Sequence, residues 1–315
     1  MNSHPYDRLA PDLVIDAVES VGYLSDARLL ALNSYENRVY QVGIEEDVPL
    51  IAKFYRPQRW SEAQILEEHH FSLELQEADI SVVAPLVDDH GNTLHCFQGF
   101  QFALFPRRGG YPPELDNLDN LLILGRTVGR IHAVGRAASF SERQQITVDR
   151  MLTRNREFLL EGFIPRELIP AYESLTLDLL QTVESIYSDV QSQDLIRVHG
   201  DCHVGNILWR DDTAHFVDLD DSCTAPAIQD LWMFLNGERH DRQLQLSELI
   251  EGYSEFCDFD PRQIRWIEAL RTMRLIHYAA WLARRWEDPA FPRSFTWFNT
   301  ERYWADHILE LREQM

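Results

Sequence analysis

Val198-His-Gly-Asp-Cys-His-Val-Gly-Asn-Ile-Leu-Trp209 is the most informative stretch of this chain, and Phe216-Val-Asp-Leu-Asp-Asp221 follows it after six residues. Within the first stretch, Asp201 and Asn206 stand in the spacing H-x-D-x-x-x-x-N. In enzymes that transfer phosphoryl groups, this spacing supplies a base for the substrate hydroxyl and an amide ligand for a metal ion. The stretch therefore predicts a phosphoryl-transfer site at Asp201 and Asn206.

A short hairpin is predicted between Asn206 and Asp218. Residues 207–209 and 215–217 are apolar or favour strands, and the turn-forming residues 210–213 separate them. Such a hairpin returns Asp218 to the level of Asn206, so that a carboxylate and an amide oxygen lie side by side. This pair suits Mg²⁺, which keeps most of its waters and takes its remaining oxygens from substrate phosphates.

Each of these residues also has an ordinary explanation, because aspartate, asparagine and histidine are common in turns. The group as a whole is harder to explain in that way. Asp218 follows the apolar pair Phe216-Val217 and precedes Asp220 and Asp221. So many neighbouring carboxylates cost stability unless cations or water neutralise them. We therefore favour the phosphoryl-transfer interpretation over coincidence.

Length and charge exclude several classes of protein. With 315 residues, the chain can form a large core and one or two domains. Its 45% of hydrophobic and 25% of charged residues are typical of a globular protein. The net charge of −22 disfavours nucleic acid and anionic membranes as partners. No apolar run approaches the length of a membrane span.

Cysteine usage and the first residues indicate the expected compartment. The four cysteines are scattered, without the C-x-x-C spacing of a zinc site and without a disulfide framework. The polar residues 1–8 lack the apolar stretch of a secretory signal. A reducing cytoplasm is the expected setting.

The first third of the chain predicts a small five-stranded antiparallel sheet. A helix at 60–76 is inserted into this sheet, and a short amphipathic helix at 11–21 is expected to pack outside it. Six stretches have strand character, one more than the five strands expected in the sheet: 29–32, 38–44, 49–55, 81–87, 93–97 and 100–105.

Lys53 lies in the third strand, within Leu-Ile-Ala-Lys-Phe, which matches the V-A-I-K pattern of the kinase third strand. Taken alone, it would be a solvated strand lysine. The following helix carries Glu67 and Glu68, however, and in kinases a strand lysine paired with a helix glutamate holds the α- and β-phosphates of the nucleotide. We choose Glu68 as the partner because it lies on the helix face that is turned toward the sheet, with Glu67 as the reserve.

Phe105-Pro-Arg-Arg-Gly-Gly110 marks a hinge, because the pattern is helical from there onward. We place the boundary near residue 107, between a nucleotide-binding lobe (1–107) and a mainly helical catalytic and substrate lobe (108–315). The hinge offers a resting place for a nucleotide base. Long core helices of the second lobe are predicted at 118–134, 169–190 and 266–286.

Four polar residues of the second lobe have less certain roles. His132 lies within a core helix, where a lone histidine is more often a hydrogen-bonded core group than a ligand. Asp230 is expected to anchor the loop of His199 by hydrogen bonds. Arg274 and His277 lie on a helix whose arginines are most often solvated, yet they are candidates for substrate contact.

His199-Gly-Asp-Cys-His-Val-Gly-Asn-Ile-Leu208 resembles the loop of the aminoglycoside phosphotransferase and choline kinase superfamily, whose fold is bilobal and protein-kinase-like. Other segments, spread over nearly the whole chain, resemble a family of bacterial stress-response protein kinases. These segments are Asn33-Ser-Tyr-Glu-Asn-Arg-Val-Tyr40, Lys53-Phe-Tyr-Arg-Pro57, Ile65-Leu-Glu-Glu-His69, Phe216-Val-Asp-Leu-Asp-Asp221 and Gln229-Asp-Leu-Trp-Met233. The resemblance implies an α+β bilobal fold. It also implies a cytoplasmic, monomeric, ATP- and Mg²⁺-dependent serine/threonine protein kinase that acts in survival of stress.

The resemblance also implies the roles of individual residues. It makes Asp201 the catalytic base, and Asn206 and Asp218 the ligands of Mg²⁺. It makes Ser34 a residue that contacts ATP, and it makes Lys53 the residue that holds the phosphates of ATP.

The chain departs from eukaryotic protein kinases in two respects. It has no G-x-G-x-x-G, so Ser34 and Asn37, with neighbouring backbone amides, are the candidates that cover the phosphates instead. It also has no A-P-E segment, and seven residues separate Asp218 from Pro226. Regulation through a long phosphorylated activation loop is therefore not expected.

Three other functions compete with this interpretation. A small-molecule kinase acting on an amino alcohol or aminoglycoside shares the chemistry, and Asp220 and Asp221 would suit a cationic substrate. A two-metal phosphoesterase is suggested by Asp201-x-His203 and Asp88-x-His90, but the histidine that should follow Gly205-Asn206 is replaced by isoleucine. A pseudokinase scaffold is disfavoured because the lysine, the base and both metal ligands are present.

Overall fold

Residues 6–314 are described by the structure, a computed structural model. An antiparallel sheet of five strands forms the first lobe, in the order β1-β2-β3-β5-β4. Its elements are α1 (Pro11–Glu19), β1 (Ser25–Ala31), β2 (Arg38–Ile44), β3 (Leu50–Phe54), α2 (Glu62–Glu77), β4 (His95–Phe97) and β5 (Phe100–Pro106).

The two faces of the sheet have different neighbours, because successive strand residues point to opposite sides. Ala52 and Phe54 of β3 are buried in the core that α1 forms with one face. Lys53 lies between them and therefore points to the other face. It sits in the middle of the sheet, opposite Val39 of β2 and Ala103 of β5.

Helix α2 connects the two lobes. It begins with a capping box, in which the side chains of Ser61 and Gln64 each accept a hydrogen bond from the other residue's backbone amide. Its buried residues Phe71 and Leu75 belong to the core of the second lobe. The residues of α2 therefore hold a fixed position relative to both lobes.

The second lobe is mainly helical and carries two small two-stranded sheets, β6 with β9 and β7 with β8. A π-helical turn, Asp149–Thr153, precedes its second helix. The other elements are α3 (Leu118–Gly135), α4 (Arg154–Gly162), α5 (Ile169–Tyr187), β6 (Leu195–Val198), β7 (Ile207–Arg210), β8 (Thr213–Phe216), β9 (Cys223–Pro226), α6 (Ile228–Trp232), α7 (Arg239–Ser254), α8 (Ile267–Arg284), α9 (Ala290–Ser294) and α10 (Glu301–Arg312).

Helices α3 and α7 approach each other closely, because glycines line their contact. A Cβ atom on Gly125 would overlap the carbonyl oxygen of Leu249, and one on Gly129 would lie 2.5 Å from that of Tyr253. From the other side, a Cβ on Gly252 would overlap the α3 backbone. The two backbones are therefore in direct contact.

The structure confirms the predicted α+β class, the five-stranded antiparallel sheet and the long helices. It corrects the prediction of a strand at 81–87. Pro85 interrupts this stretch and cannot donate to a ladder. Its first residues instead pair with the second lobe, where Val83 N donates to Phe216 O (2.9 Å) and Phe216 N to Ser81 O (2.9 Å). The strands β6 and β9 were not predicted.

The linker between the lobes runs from Pro106, the end of β5, to Leu118, the start of α3. Tyr111 exchanges two backbone hydrogen bonds with Trp209 of β7, so the linker is paired with the hairpin of the second lobe. The lobe boundary near residue 107 stays a prediction. Within residues 6–314, none of the helices has the length and apolar character needed to cross a bilayer.

We expect Gly125→Ala to lower the free energy of unfolding by about 1–3 kcal/mol, because the new methyl group must push α3 away from α7. The higher helix propensity of alanine, worth about 1 kcal/mol, offsets only part of this cost. Urea unfolding followed by circular dichroism measures the change.

Gly162→Ala is the matched control, because a Cβ atom on this residue at the end of α4 would meet nothing within 4 Å. It should leave the stability unchanged or raise it slightly. Equal stabilities for the two variants would contradict the close contact of α3 with α7.

Candidate active site

The loop that follows β6 is fixed in place by Asp230 of α6. The two carboxylate oxygens of Asp230 accept hydrogen bonds from His199 N (2.8 Å) and Gly200 N (2.9 Å). His132 of α3 contacts the same carboxylate through Nε2 (2.9 Å), and its Nδ1 meets the hydroxyl of Tyr253 (3.2 Å). These contacts confirm Asp230 as the anchor of the loop and His132 as a hydrogen-bonded core group.

Gly200 allows the chain to turn toward the cleft. Its φ angle of +83° lies in the left-handed region, and a Cβ atom there would overlap the carbonyl oxygen of Asp221. His199 contacts the carbonyl oxygen of Val217 through its Nε2 (3.0 Å), which ties the loop to the hairpin beside it. The loop therefore presents the next residue, Asp201, to the space between the lobes.

The carboxylate of Asp201 is surrounded by cationic and amide groups. Its Oδ1 lies 2.7 Å from Nη2 of Arg274, and its Oδ2 lies 3.3 Å from Nδ2 of Asn206 and 3.4 Å from Nε2 of His203. Burial would raise the pKa of Asp201, but Arg274 and His203 outweigh it and hold the pKa well below its ordinary value. Asp201 is therefore ionised at neutral pH.

Asn206 and Asp218 lie at the open end of the β7–β8 hairpin, as the sequence predicts. Ile207 pairs with Phe216, and the next backbone bond joins Val217 N to Asn206 O (3.0 Å). The side-chain nitrogen of Asn206 donates to the carbonyl oxygen of Asp201 (2.9 Å), which leaves its side-chain oxygen as an acceptor. Asp218 has a left-handed backbone (φ 58°), and its side chain is half exposed.

These donors fit a magnesium ion better than a transition metal. Among the described residues, no group of three or more His, Cys, Asp or Glu side chains converges as a metal site. One carboxylate and one amide oxygen are a small ligand set, and Mg²⁺ accepts such a set because it keeps several waters and binds phosphate oxygens. Asn206 and Asp218 stay the predicted ligands.

Lys53 extends from β3 to the second lobe. Its Nζ lies 2.7 Å from Oδ1 of Asp218 and 3.3 Å from Oδ1 of Asp220. Burial alone would lower the pKa of Lys53, but the two aspartates outweigh it and raise the pKa above its ordinary value. The lysine therefore keeps its charge in a nearly buried position.

Asp220 is a buried carboxylate of the cleft with several partners. Besides Lys53, it binds the side chain of Arg59 and accepts a hydrogen bond from Nδ2 of Asn37 (3.1 Å). Arg143 binds the carbonyl oxygen of the same residue. Burial would raise the pKa of Asp220, but Lys53 and the arginines lower it. Sequence analysis noted only its charge and missed this role.

The predicted ion pair of Lys53 with Glu68 is not formed in this structure. Glu68 is buried in α2, and its Oε1 accepts a hydrogen bond from Ser72 (3.1 Å). Burial raises its pKa to about 7, although Lys53 opposes the shift. Lys53 turns instead toward Asp218 and Asp220. The reserve candidate, Glu67, faces away and accepts hydrogen bonds from the amides of residues 141–143.

The polar loop between β1 and β2 lies over the cleft. Ser34 Oγ donates to the carbonyl oxygen of Asn37 (3.1 Å), while the side chain of Asn37 contacts both Asp220 and the amide of Arg56 (3.1 Å). Asn37 is buried and lines the cleft, but its amide group is already occupied by these contacts. Its predicted role in nucleotide binding, like that of Ser34, stays a prediction.

Glu36 attaches this loop to α8 of the other lobe. Its carboxylate accepts a hydrogen bond from Nε1 of Trp281 (2.6 Å) and forms an ion pair with Arg285. Tyr35 packs edge-on against Phe295, with ring centroids 4.8 Å apart. These contacts fix the loop over the cleft. No local sequence pattern predicted them.

A cavity of about 880 Å³ contains most of the predicted site residues. Residues of both lobes line it. The polar side chains that line it include Ser34, Lys53, Glu68, Asp201, Asn206, Asp218 and Arg274, and the apolar ones include Leu32, Val39, Ile51, Val83, Phe105, Leu208 and Val217. The volume lies at the upper end of the range for small-molecule sites, about 300–1,000 Å³.

The phosphoesterase alternative gains nothing from this arrangement. Asp88 is used within its own turn, where its carboxylate accepts hydrogen bonds from the amides of His90 (2.9 Å) and Asn92 (2.7 Å). Neither Asp88 nor His90 lines the cavity that contains Asp201.

Comparisons with known proteins agree with this geometry. The model of the phosphotransferase enzyme family matches residues 28–267. Stress response kinase A of Shigella flexneri is 45% identical over 310 residues, which cover 98% of this chain and 93% of that protein. Serine/threonine protein kinase RdoA of Salmonella typhimurium is 44% identical over 315 residues, with coverage of 99% and 94%.

Solved structures share the fold at low sequence identity. Amicoumacin kinase hAmiN, in complex with AMP-PNP, Ca²⁺ and Ami, superposes with a TM-score of 0.79 and 18% identity, covering 99% of this chain and 95% of that chain. A microcompartment-associated aminopropanol kinase gives 0.72 and 17%, with coverage of 95% and 96%. These likenesses show the bilobal kinase-like fold.

We expect Glu68→Gln to remove a pH dependence of stability. The raised pKa of Glu68 means that its contribution is fully present below its ordinary value of 4.5 and is lost as the pH rises toward about 7. The stability of the variant relative to the native chain should therefore rise by at most about 3 kcal/mol across this range. Urea unfolding at a series of pH values measures the difference.

Glu67→Gln serves as the neighbouring control. Burial would raise the pKa of Glu67, but its hydrogen bonds to backbone amides lower it, so its contribution is lost only at more acidic pH. The two stability curves should run parallel above pH 5 for this control. Parallel curves for Glu68→Gln as well would show that Glu68 is not a buried, proton-binding group.

Proposed function

Because the chain belongs to the phosphotransferase enzyme family and is a kinase, we propose that it is an ATP- and Mg²⁺-dependent serine/threonine protein kinase that acts in bacterial stress response. One observation carries the proposal. Lys53, Asp201, Asn206 and Asp218 all line one cavity between the lobes. The names of the relatives that are 44–45% identical over nearly the whole chain support both the protein substrate and the stress response.

The base of the proposed reaction is Asp201. Its ionised carboxylate accepts a hydrogen bond from the hydroxyl of the acceptor and orients the oxygen toward the γ-phosphate. A strongly basic group is not required, because phosphoryl transfer passes through a loose transition state in which the hydroxyl proton leaves late. This fits a carboxylate whose pKa Arg274 holds low.

The phosphates of ATP are assigned to Lys53, Asn206 and Asp218. The ammonium group of Lys53 exchanges part of its contact with Asp218 for phosphate oxygens. Asn206 and Asp218 would hold Mg²⁺, which when bound neutralises charge on the phosphate oxygens. The apolar side chains that line the cavity, Ile51 and Leu208 among them, would pack against the adenine ring.

A small-molecule kinase is the second candidate. It is favoured by the names of the structural neighbours, an amicoumacin kinase and an aminopropanol kinase, and by a cavity whose volume suits a small molecule. It is weakened at one point. Asp220 and Asp221, which would have attracted a cationic substrate, both bind Arg59.

Asp201→Ala should lower the turnover of phosphoryl transfer by about 10²- to 10⁴-fold, the usual effect of removing a general base. The affinity for Mg-ATP should stay near that of the native chain, because Lys53, Asn206 and Asp218 are unchanged. Turnover with labelled ATP and calorimetric binding of Mg-ATP are the two measurements.

Asp178→Ala is the control, since Asp178 is an exposed residue of α5. It should leave both quantities unchanged. Native turnover in Asp201→Ala would exclude this aspartate as the base.

The acceptor is tested by incubating the chain with labelled ATP and Mg²⁺. Generic protein substrates are offered first, and choline, homoserine and aminoglycosides are offered separately. We expect transfer to serine or threonine of a protein, abolished by chelation of the metal. Transfer only to the small molecules would replace the proposal by the second candidate.

A further inference from the structure

The π-helical turn Asp149–Thr153 and helix α8 place three side chains in the cavity beside the predicted base. Arg150 comes from the turn, and Arg274 and His277 lie one helical turn apart on α8. Arg274 contacts Asp201 directly. Since π-helical turns are frequent at functional sites, the position of Arg150 on one is a reason to ask what it binds.

Arg150 lacks the carboxylate that a half-buried arginine usually has. Within residues 6–314 it forms no ion pair, and its guanidinium makes one long hydrogen bond, to the carbonyl oxygen of Gln145 (3.5 Å). The nearby carboxylate of Asp221 is engaged by Arg59 (2.6 Å). Burial lowers the pKa of Arg150, which reflects the cost of an incompletely solvated charge. An anion from outside would remove this cost.

A buried asparagine builds the arrangement. Asn155 of α4 contacts the carbonyl oxygens of Arg150 (3.1 Å) and Met151 (2.8 Å) through Nδ2, and its Oδ1 accepts a hydrogen bond from Arg284 of α8 (2.7 Å). The same Nδ2 lies 3.1 Å from Nδ1 of His277. The turn and α8 are therefore held together at this point.

The contact with Asn155 also fixes the proton of His277. An amide nitrogen can only donate, so Nδ1 of His277 accepts and the ring proton lies on Nε2. Burial, and next the charge of Arg150, lowers the pKa of His277 to about 4, so the ring is neutral at pH 7. His277 therefore adds a neutral N–H donor to the two guanidinium groups.

From this geometry we propose that the acceptor site binds a hydroxyl substrate that carries an anionic group, a carboxylate or a phosphate, close to the reacting hydroxyl. Arg150, the Nε2–H of His277 and the free N–H groups of Arg274 bind that group, while Asp201 takes the hydroxyl. The inference rests on the proposed function. In a protein substrate, it corresponds to a serine or threonine next to acidic or already phosphorylated residues.

The proposal runs against the charge of the whole molecule. With a net charge of −22, the chain as a whole attracts cations, and long-range electrostatics alone would favour a basic substrate. A preference for anions therefore has to come from local donors. This makes the sign of the preference a sharp test.

The experiment uses the full chain saturated with Mg²⁺ and a non-hydrolysable ATP analogue. Binding is measured for three serine-centred peptides of equal length, flanked by glutamates, by phosphoserines or by arginines. Glycerate and ethanolamine provide the corresponding small-molecule pair. We expect the glutamate and phosphoserine peptides to bind at least about tenfold more tightly than the arginine peptide, as for charge-assisted contacts to arginine. Glycerate should likewise bind at least about tenfold more tightly than ethanolamine.

Arg150→Gln should reduce this preference about tenfold, and Arg150→Lys should retain most of it. Arg154→Gln is the matched control, because Arg154 is a largely exposed arginine of α4 paired with Asp149. It should keep the native preference. The thermal midpoint and the affinity for Mg-ATP show that each variant is folded.

Three results would overturn the inference while leaving the proposed function intact: tighter binding of the cationic ligands, no binding of either sign, or an unchanged preference in Arg150→Gln. If Arg150→Gln weakens only the binding of Mg-ATP, the arginine serves the nucleotide and the inference is also wrong. Failure of the native chain to bind Mg-ATP at all would instead contradict the proposed function.

Discussion

Asp220 is a carboxylate buried between the two lobes, and the cleft depends on keeping its charge neutralised. Lys53, Arg59 and Asn37 of the first lobe bind its side chain, and Arg143 of the second binds its carbonyl oxygen. Removing one partner of a buried ion pair costs about 3–5 kcal/mol, because an uncompensated charge is left behind. The contacts of Asp220 therefore help to fix the position of the sheet relative to the helices. They do so at the place where the phosphates of a nucleotide would lie.

The same cluster explains how an acidic chain can offer a site to a polyanion. The molecule carries a net charge of −22, yet the cavity is lined by Lys53, Arg59, Arg150 and Arg274. Acidic side chains line the same cavity, among them Asp201, Asp218, Asp220 and Asp221, so this positive charge is matched within the cleft. The cavity is therefore much less negative than the molecule as a whole, and a concave surface concentrates the field of the side chains that line it. An anionic ligand would therefore depend on direct contacts with these cationic side chains rather than on the charge of the whole molecule.

The parts of the site that the sequence predicted are those that local structure determines. Asn206 and Asp218 are joined by a hairpin whose turn residues are evident in the sequence, and Lys53 lies in a strand with a recognisable pattern. Contacts between distant segments were beyond such reasoning. Arg274 is far along the chain from Asp201, which it contacts. Lys53 pairs with Asp218, a residue of the other lobe, and the spacing of residues in the sequence does not reveal this contact.

The glycine contact between α3 and α7 reaches the catalytic loop through a short series of hydrogen bonds. Tyr253, beside Gly129 in this contact, meets His132, and His132 meets the carboxylate of Asp230 that holds the loop amides. Two helices whose backbones touch cannot slide along one another by fractions of an ångström, as helices separated by flexible side chains can. The loop that carries Asp201 therefore rests on a rigid support. This rigidity matters because misplacement of a catalytic group by about 1 Å can slow an enzyme about 10²-fold.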